Sequence, residues 1–367
     1  MSTEFEYVFP AIRGIQAGRE YYASMCPLRL IPKLFLFDED ELVPELRAQR
    51  HLNKARVPEM SRYITENDDN YVFSAITASI DGDVEFEELS TAGGASRNGR
   101  LHIPMEARFI INDGQHRRAA IEMALHQRPE LGEETIAVVF FHDAGLQRCQ
   151  QMFADLNRYA IRPSTSLSLL YDYRDATANL AKDLIARSPV FKDVVEMEKT
   201  TLSKRSRRLF TLSAIYHATG EFLKNLDIAE PETTADLALQ FWEAVAGHMT
   251  EWEYVRSGRI TSGEVRSDYV HTNGVVLQAL ARAGNALFRQ YPERWLAEIA
   301  KIADIDWRRA NSELWEGRVL LGGRVQKSQQ NVTLTTNAIK CQLGLPLSPE
   351  EQRVEDAFRR RDLDAET

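Results

Sequence analysis

Cysteine is scarce in this sequence of 367 residues, and its scarcity narrows the kinds of site that the chain can build. The three cysteines, Cys26, Cys149 and Cys341, lie far apart, and no C-x-x-C pair occurs. Their odd number and wide spacing argue against a disulfide framework and against a zinc site. We therefore expect no metal site, and the pattern fits a protein of the reducing cytoplasm.

Long apolar runs are absent as well. No apolar segment approaches the roughly 18 residues that a membrane-spanning helix needs. The N-terminus has no basic region followed by a long apolar run. We expect neither a signal peptide nor a transmembrane span, and we expect no membrane partner.

Positive charge is in deficit. The chain has 45 Lys and Arg against 54 Asp and Glu, which gives a formal net charge of −9. A field of this sign opposes nucleic acid, so DNA binding would require a local basic patch. The hydrophobic share of 44% and the charged share of 27% are those of an ordinary globular protein. The length predicts about two domains.

The first part of the chain mixes strand and helix patterns. Strands are predicted at Tyr71–Ile80, Ala107–Ile111 and Thr135–Phe141, where apolar, β-branched and aromatic side chains follow one another. Helices are predicted at Val57–Ile64 and His116–Gln127. This mixture predicts an α+β domain over residues 1–162.

After Pro163 the pattern becomes helical, and we predict an all-α domain over residues 163–345. The predicted helices are Ser164–Ser188, Ser203–Leu226, Thr233–Arg256, Asn273–Tyr291 and Pro292–Ile302. A stripe of large side chains at helical spacing is typical of core packing, and it consists of Trp242, Val245, Met249 and Trp252. Residues 346–367 are predicted as a charged C-terminal tail, either a surface helix or a frayed end.

The densest group of reactive side chains follows the second predicted strand, in the sequence NDGQHRR. Asn112 or Asp113 can cap the helix that begins there. Gly114 permits a tight turn and lets a ligand come close to the backbone. A helix start offers unpaired N–H groups and the positive end of the helix dipole, which together attract anions.

The remaining polar residues suit a phosphate ester better than a neutral substrate. Gln115 can orient a water, His116 can exchange a proton near neutral pH, and Arg117 and Arg118 match phosphate oxygens. Asp113 could hold Mg²⁺ or activate water. The simpler alternative is a helix cap followed by solvated polar residues, but a cap needs only one of them. The pattern G-x-x-x-x-G-K-[ST] is absent, so the chain has no P-loop.

With these residues in view, the chain resembles the DGQHR-domain family of bacterial proteins, and within it the members associated with DNA phosphorothioation, or DNA sulfur modification. Three further segments carry the resemblance over most of the chain: IRGIQAGREYY (Ile12–Tyr22), AQRHLNKARVPEMSRYI (Ala48–Ile64) and MFADLNRYAIRPS (Met152–Ser164). The resemblance implies an N-terminal domain with a ParB/sulfiredoxin-like fold, in which a polar loop at a helix start binds a nucleotide. It also implies a regulator that binds and represses promoter DNA, rather than a sulfur-transferring enzyme.

The resemblance further implies a nucleotide site on the matching positions. The side chains that would carry its chemistry are Asp113, Gln115, His116 and Arg117. Gly114 and Arg118 would bind the nucleotide beside them. The implied cofactor is ATP, with or without Mg²⁺, and the implied activity is at most a weak ATPase that serves regulation.

Two other matching segments offer candidate ligand contacts. Arg50, Asn53 and Arg56 recur every third residue and share roughly one helix face, so they could reach the phosphates or the base. A solvated charged face is the alternative. Asn157 could contact the nucleotide, or it could be the C-cap residue that Asn often is.

The basic patch that DNA binding requires occurs at Lys199–Phe210, KTTLSKRSRRLF. It contains five cations and no acid: Lys199, Lys204, Arg205, Arg207 and Arg208. Ser203 is a candidate N-cap, which would place the cations at a helix start where phosphates bind. The alternative is a solvated helix end, balanced by acids just upstream.

A second candidate for DNA contact is the Gly-rich segment Gly317–Asn331. It offers Arg324 and Lys327 among glycines and amides. It could lie along a DNA groove, or it could simply connect two helices.

These observations favour a DNA-binding transcriptional repressor or regulator of a phosphorothioate modification gene cluster, modulated by ATP. The alternatives are a nickase or phosphotransfer component that acts on DNA, and a non-catalytic adaptor of the modification machinery. The expected partner is double-stranded DNA of its own promoter region, in the nucleoid. By analogy, a second copy of the chain and other phosphorothioation proteins are further candidate partners.

Overall fold

A computed structural model describes most of the chain. The described residues are 5–35, 55–89, 96–142, 148, 151–152, 154–156, 163–228 and 230–365. The chain divides into two compact units, Met1–Ile161 and Arg162–Thr367. No helix in the described ranges is long and apolar enough to cross a membrane.

Among the described residues of the first unit, seven strands form one mixed sheet. The strands are β1 (Glu6–Gln16), β2 (Arg19–Pro27), β3 (Ile76–Asp81), β4 (Glu85–Glu88), β5 (Asn98–Pro104), β6 (Arg108–Asp113) and β7 (Thr135–His142). Their order is β4-β5-β1-β2-β7-β3-β6, and only the β7–β3 pair is parallel. The three predicted strands are present as β3, β6 and β7, with shifted ends. The other four strands are additional to the prediction.

The long hairpin of β1 and β2 shows why these strands escape prediction. Its turn consists of Ala17 and Gly18, both with positive φ (49° and 74°), and the pair Gln16–Arg19 closes it. Such a turn matches the twist of the strands, but it usually carries Asn-Gly or Asp-Gly. Ala-Gly gives no comparable signal in the sequence.

Helices pack against this sheet. They are α1 (Ile31–Leu34), α2 (Arg56–Glu66) and α3 (Gln115–Gln127), with short 3₁₀ turns at Leu28–Leu30 and Pro129–Glu133. The helices predicted at 57–64 and 116–127 are confirmed by α2 and α3. Ile64 of α2 and Ile121 of α3 are buried in the core of the sheet. This core fixes the start of α3 against the end of β6.

The second unit is mainly helical. Its helices are α4 (Thr165–Tyr171), α5 (Ala176–Arg187), α6 (Leu212–Leu223), α7 (Pro231–Gly247), α8 (Thr250–Arg256), α9 (Ser262–Asp268), α10 (Gly274–Gln290), α11 (Trp295–Glu298), α12 (Ser312–Trp315), α13 (Gln329–Gln342) and α14 (Pro349–Ala365), with a 3₁₀ helix at Ile299–Asp304. The predicted core stripe is confirmed, since all four of its side chains are buried.

Two features correct the prediction of a purely helical second unit. It contains two short ribbons, β8 (Val195–Glu196) with β9 (Phe210–Thr211) and β10 (Leu320–Leu321) with β11 (Arg324–Val325). Two long predicted helices are also divided. The first breaks before Asp175, which caps α5 with its side chain, and α7 ends before α8 begins at Thr250.

The C-terminal segment is docked rather than frayed. Helix α14 packs on α13, and its Glu355 is only 2% exposed. Glu355 accepts hydrogen bonds from the guanidinium of Arg318 at 2.6 and 2.9 Å. Lys340 of α13 pairs with Glu351 at 2.6 Å. These buried ion pairs make α14 part of the second unit.

Candidate functional site

The NDGQHRR segment lies where the edge strand β6 passes into α3. Strand β6 ends at Asp113, and Gly114 is the N-cap of α3. Near this end the register against β3 shifts, so that Asn112 is an extra residue on β6. Such bulges redirect side chains next to functional sites. Asn112 is fully buried and donates from Nδ2 to Oγ of Ser79 at 2.8 Å.

Gly114 is required at this junction by both conformation and space. Its φ is +117°, in the region that favours glycine. A Cβ here would lie 3.0 Å from Cγ1 of Ile76 and 3.2 Å from the guanidinium of Arg117. The prediction that Asn112 or Asp113 caps the helix is wrong, because no side chain caps α3 at Gly114. The N-cap residue, Gly114, therefore supplies no side-chain acceptor to the positive end of the α3 dipole.

Arg117 and Asp113 hold each other beside this helix start. The guanidinium of Arg117 donates to the carboxylate of Asp113 at 2.8 Å, to Oγ of Ser74 at 2.7 Å and to the carbonyl of Ala75 at 3.2 Å. Its Nε is buried and has no acceptor in the described part of the chain. Arg117 thus connects residues 74–75, which precede β3, to α3. Asp113 is already paired with Arg117 in the protein without ligand.

Arg118 has a structural role in place of the predicted phosphate contact. Arg118 as a whole residue is only 7% exposed. Nε donates to the carbonyl of Phe35 at 2.9 Å, and an Nη donates to the carbonyl of Pro32 at 3.3 Å. The guanidinium also pairs with Glu122 one turn along α3. With these partners, Arg118 connects α3 to the end of α1 and is removed from the proposed site.

His116 and Arg56 lie near enough to each other at this junction for the charge of Arg56 to act on His116. His116 is half-buried and Arg56 is exposed at the start of α2. Burial lowers the pKa of His116 below its ordinary 6.5, and the positive charges of Arg56 and Arg117 lower it further. Gln115 uses its side-chain amide to donate to the carbonyl of Ile111 at 3.1 Å. An imidazole whose pKa is lowered by burial and by two nearby guanidinium groups gains a proton more readily when an anion binds beside it.

Three predicted contacts of this site, Arg50, Asn53 and Asn157, lie outside the described residues. Within those residues, no group of three or more His, Cys, Asp or Glu side chains is arranged to hold a metal ion. The junction therefore offers cationic and N–H donors, and one carboxylate, Asp113, which is paired with Arg117.

The basic segment in the second unit is a loop and not a helix start. It runs between β8 and β9, and the next helix, α6, begins only at Leu212. Thr211 caps α6 by accepting from the backbone N–H of Ala214, so the prediction that Ser203 is the N-cap is wrong. Hereafter the basic loop means residues 199–208. Four of its cations are exposed: Lys199, Lys204, Arg205 and Arg207.

Arg266 of α9 holds the backbone of the basic loop by donating hydrogen bonds to its carbonyls. The guanidinium of Arg266 donates to the carbonyls of Ser203 at 2.7 Å and of Ser206 at 3.2 Å, and it also donates to the carbonyl of Arg208. Ser262 donates to the carbonyl of Arg207 at 2.7 Å. These hydrogen bonds turn the carbonyls toward α9 and tie the backbone of the loop to that helix. Sequence patterns do not reveal Arg266, because its partners lie about sixty residues away in the chain.

Arg208 and Gly263 make two further contacts between the basic loop and its surroundings. The guanidinium of Arg208 donates to the carbonyl of Asp193, so this cation helps to anchor the loop. A Cβ on Gly263 would lie 2.5 Å from the carbonyl oxygen of Lys204, so α9 packs directly against the loop.

The second predicted DNA segment forms a small hairpin. The turn between β10 and β11 consists of Gly322 and Gly323, and Arg324 and Lys327 are exposed beside it. Lys327 also lines the same cleft as Lys204 of the basic loop. The structure thus brings together one cation from each of the two predicted segments.

Comparison with known proteins adds one match. One protein family, described as DndB: DNA-sulfur modification-associated, matches residues 9–346. No curated protein and no solved structure matches the chain.

Proposed function

Since the chain belongs to the DndB family of DNA-sulfur modification-associated proteins, we propose that it is a DNA-binding transcriptional regulator of a phosphorothioate modification gene cluster, modulated by ATP. The observation that carries the proposal is the basic loop. Its carbonyls are turned onto Arg266, and four of its cationic side chains are exposed in a chain of net charge −9.

The basic loop is suited to the phosphate backbone of DNA. Lys204, Arg205 and Arg207 can each reach a phosphate oxygen, and the fixed backbone lowers the entropy that binding costs. Such contacts position a protein on DNA but do not read sequence. Base-reading contacts on the promoter belong to other side chains, and Arg324 is one candidate on the neighbouring hairpin.

The junction at Gly114 is proposed as the nucleotide site, in a first unit of ParB/sulfiredoxin-like fold. Two features support ATP as the ligand. The α3 start has no side-chain cap, and Arg56 and His116 supply positive charge or hydrogen bonds. ATP, when bound, would supply the polyanion that these groups attract and an anhydride that water can cleave slowly.

Asp113 and Arg117 are proposed to sense the ligand. The carboxylate of Asp113 holds Arg117 in place at 2.8 Å. A phosphate near the helix start competes with Asp113 for this guanidinium, because both are anions that prefer its donors. A shift of Arg117 would loosen Ser74 and Ala75 and so disturb the entry to β3. Linkage then requires that ATP and DNA change each other's affinity by the same factor.

The experiment that tests the proposal is a titration with DNA from upstream of its own operon, with and without ATP. We expect ATP to change the apparent affinity at least fivefold, which corresponds to about 1 kcal/mol of coupling. In Arg56→Gln the ATP effect should be lost while affinity without ATP is kept. Arg62→Gln is the matched control, because it removes an exposed arginine from the same helix. Equal DNA affinity with and without ATP in the wild type would remove the regulatory link.

The pH dependence of ATP binding gives a further prediction. The pKa of His116 lies below 6.5 in the free protein, and a bound phosphate favours the imidazolium. Binding therefore takes up a proton, and we expect ATP affinity to rise by about threefold to tenfold, relative to His116→Gln, as pH falls from 7.5 to 5.5. The titration of ATP itself is common to both proteins and cancels in the ratio.

The lowered pKa of His116 also affects the stability of the free protein, and in the opposite direction. Stability decreases as pH falls, whereas ATP affinity increases. Without ligand, the unfolded chain protonates His116 more readily than the folded protein does. The stability that neutral His116 contributes is therefore present above pH 6.5 and is lost as pH falls through its lowered pKa.

The outcome that would contradict the ATP prediction is also defined. If the ratio of ATP affinities between the wild type and His116→Gln does not change with pH, His116 is not part of the site.

A further inference from the structure

The cleft that Lys204 and Lys327 line lies within the helical unit, and apart from Lys204 the proposed function makes no use of it. It has a volume of about 870 Å³ and is lined by residues from the basic loop, from α6, α9, α10 and α13, and from Arg309 and Lys327. This volume is within the roughly 300–1,000 Å³ of small-molecule sites. It can take a nucleotide, but it is too small for a double helix.

The lining of this cleft is strongly positive. Its cations are Lys204, Arg266, Arg309 and Lys327, with His217 beside them. None of the described lining residues is acidic. Like charges gathered in one cleft raise its potential and concentrate anions there. In a chain of net charge −9, this arrangement selects for a ligand with more than one negative charge.

Arg309 distinguishes the cleft from an ordinary solvated surface. Its Nε is buried and has no hydrogen-bond acceptor in the described ranges. Burial lowers the pKa of Arg309, and only the charge of Asp268 opposes this effect. A buried guanidinium N–H without an acceptor is costly, and a ligand oxygen would relieve that cost.

The adjacent Arg308 has the opposite surroundings. It is exposed and pairs with Asp306 at 2.6 Å. Two neighbouring arginines thus differ in burial and in partner. The guanidinium of Arg308 has a partner, whereas Arg309 lines the cleft and its buried Nε has no acceptor among the described residues.

Neutral donors complete the lining. Helix α10 begins in the cleft at Gly274, and its N-cap residue, Asn273, donates to the carbonyl of Val270 instead of capping the helix. The hydroxyls of Ser267 and Thr272 and the amide of Gln278 also line the wall. A helix start, hydroxyls and cations are the groups that bind phosphate and sugar oxygens.

We propose that this cleft binds a phosphate-bearing ligand of nucleotide size, at a site separate from the Gly114 junction. The phosphate can come from a free nucleotide or from a nucleotide of a single DNA strand. The proposal does not depend on promoter binding or on ATP at Gly114. Because Lys204 belongs to both the cleft and the basic loop, an occupied cleft would hold that lysine away from duplex DNA.

The test is calorimetric titration with ATP and, separately, with a single-stranded trinucleotide. The protein is the full chain carrying Arg56→Gln, which weakens the Gly114 junction if that junction binds ATP. Adding Arg309→Gln should weaken at least one probe by about tenfold or more, since a charge-assisted contact is lost. Adding Arg308→Gln, the matched control, should leave both affinities unchanged.

The pattern of losses identifies the source of the phosphate. Loss of ATP binding alone indicates a free nucleotide, loss of the trinucleotide alone indicates a DNA strand, and loss of both indicates any nucleotide. Lys327→Gln, at an exposed position, serves as a second variant if Arg309→Gln fails to fold, and it should weaken the same probe about threefold or more. No binding of either probe, or equal affinities in the Arg309 and Arg308 variants, would overturn the proposal.

Discussion

Replacing Arg266 with alanine is expected to weaken specific binding to promoter DNA strongly at moderate salt. The guanidinium of Arg266 satisfies carbonyls of Ser203, Ser206 and Arg208, and nothing in alanine replaces those donors. The backbone of the basic loop is then no longer held on α9, and its cationic side chains lose their common arrangement. We expect affinity to fall about 100-fold, as three phosphate contacts of about 1 kcal/mol each are lost together.

The same substitution should also reduce stability. Partly buried carbonyls that lose their donor cost about 1–3 kcal/mol each, and rearrangement of the loop recovers part of this, so we expect a loss of about 3 kcal/mol. Urea unfolding and DNA titration measure the two effects. Arg266→Lys keeps the charge but cannot reach several carbonyls at once, so it should fail similarly. Arg289→Ala, an exposed arginine of the same unit, is the control. DNA affinity unchanged in Arg266→Ala would show that the loop needs no such support.

Replacing Glu355 with alanine should destabilise the helical unit more than any surface change. Arg318 is 9% exposed. Glu355 balances its charge and accepts two of its hydrogen bonds, and the carbonyl of Leu334 accepts another. Without this partner a buried guanidinium remains uncompensated, which typically costs about 3–5 kcal/mol. Urea unfolding of Glu355→Ala against Glu350→Ala, an exposed acid of the same helix, measures the difference. Equal unfolding free energies would mean that α14 is not docked as described.

The contribution of the Glu355–Arg318 pair to stability depends on pH, because Glu355 must be ionised to balance the charge of Arg318. Burial is the largest single influence on the pKa of Glu355 and raises it. The hydrogen bond and positive charge of Arg318, with the hydrogen bonds from Asn337 and Arg359, together outweigh burial, so the pKa lies below the ordinary 4.5. The contribution is therefore complete above pH 4.5 and is lost as pH falls through the lowered pKa.

Local features of the fold could be predicted from the sequence, and features that depend on distant residues could not. The strand-to-helix junction at Gly114 depends on neighbours in the chain, and β6 and α3 are present where the pattern predicts them. The role of Arg118 depends on Pro32 and Phe35, more than eighty residues earlier. No local pattern separates its buried guanidinium from the neighbouring Arg117.

The basic loop shows the same limit in the candidate DNA site. Its cations are obvious in the sequence, but their conformation depends on Arg266 and Ser262 from another helix. Ser203 satisfies the pattern of an N-cap, yet tertiary contacts override it and α6 begins after Thr211. The cleft shared by Lys204 and Lys327 joins segments that are far apart in the chain, so only the fold reveals it.

The most direct test of the central claim, that the basic loop contacts DNA phosphates, is the salt dependence of promoter binding. The comparison is between the wild type and the double variant Arg205→Gln, Arg207→Gln, both exposed positions. If the loop contacts two phosphates through these side chains, the slope of log affinity against log salt should flatten by about 2. Equal slopes and equal affinities in the two proteins would contradict the account and favour a non-DNA-binding adaptor.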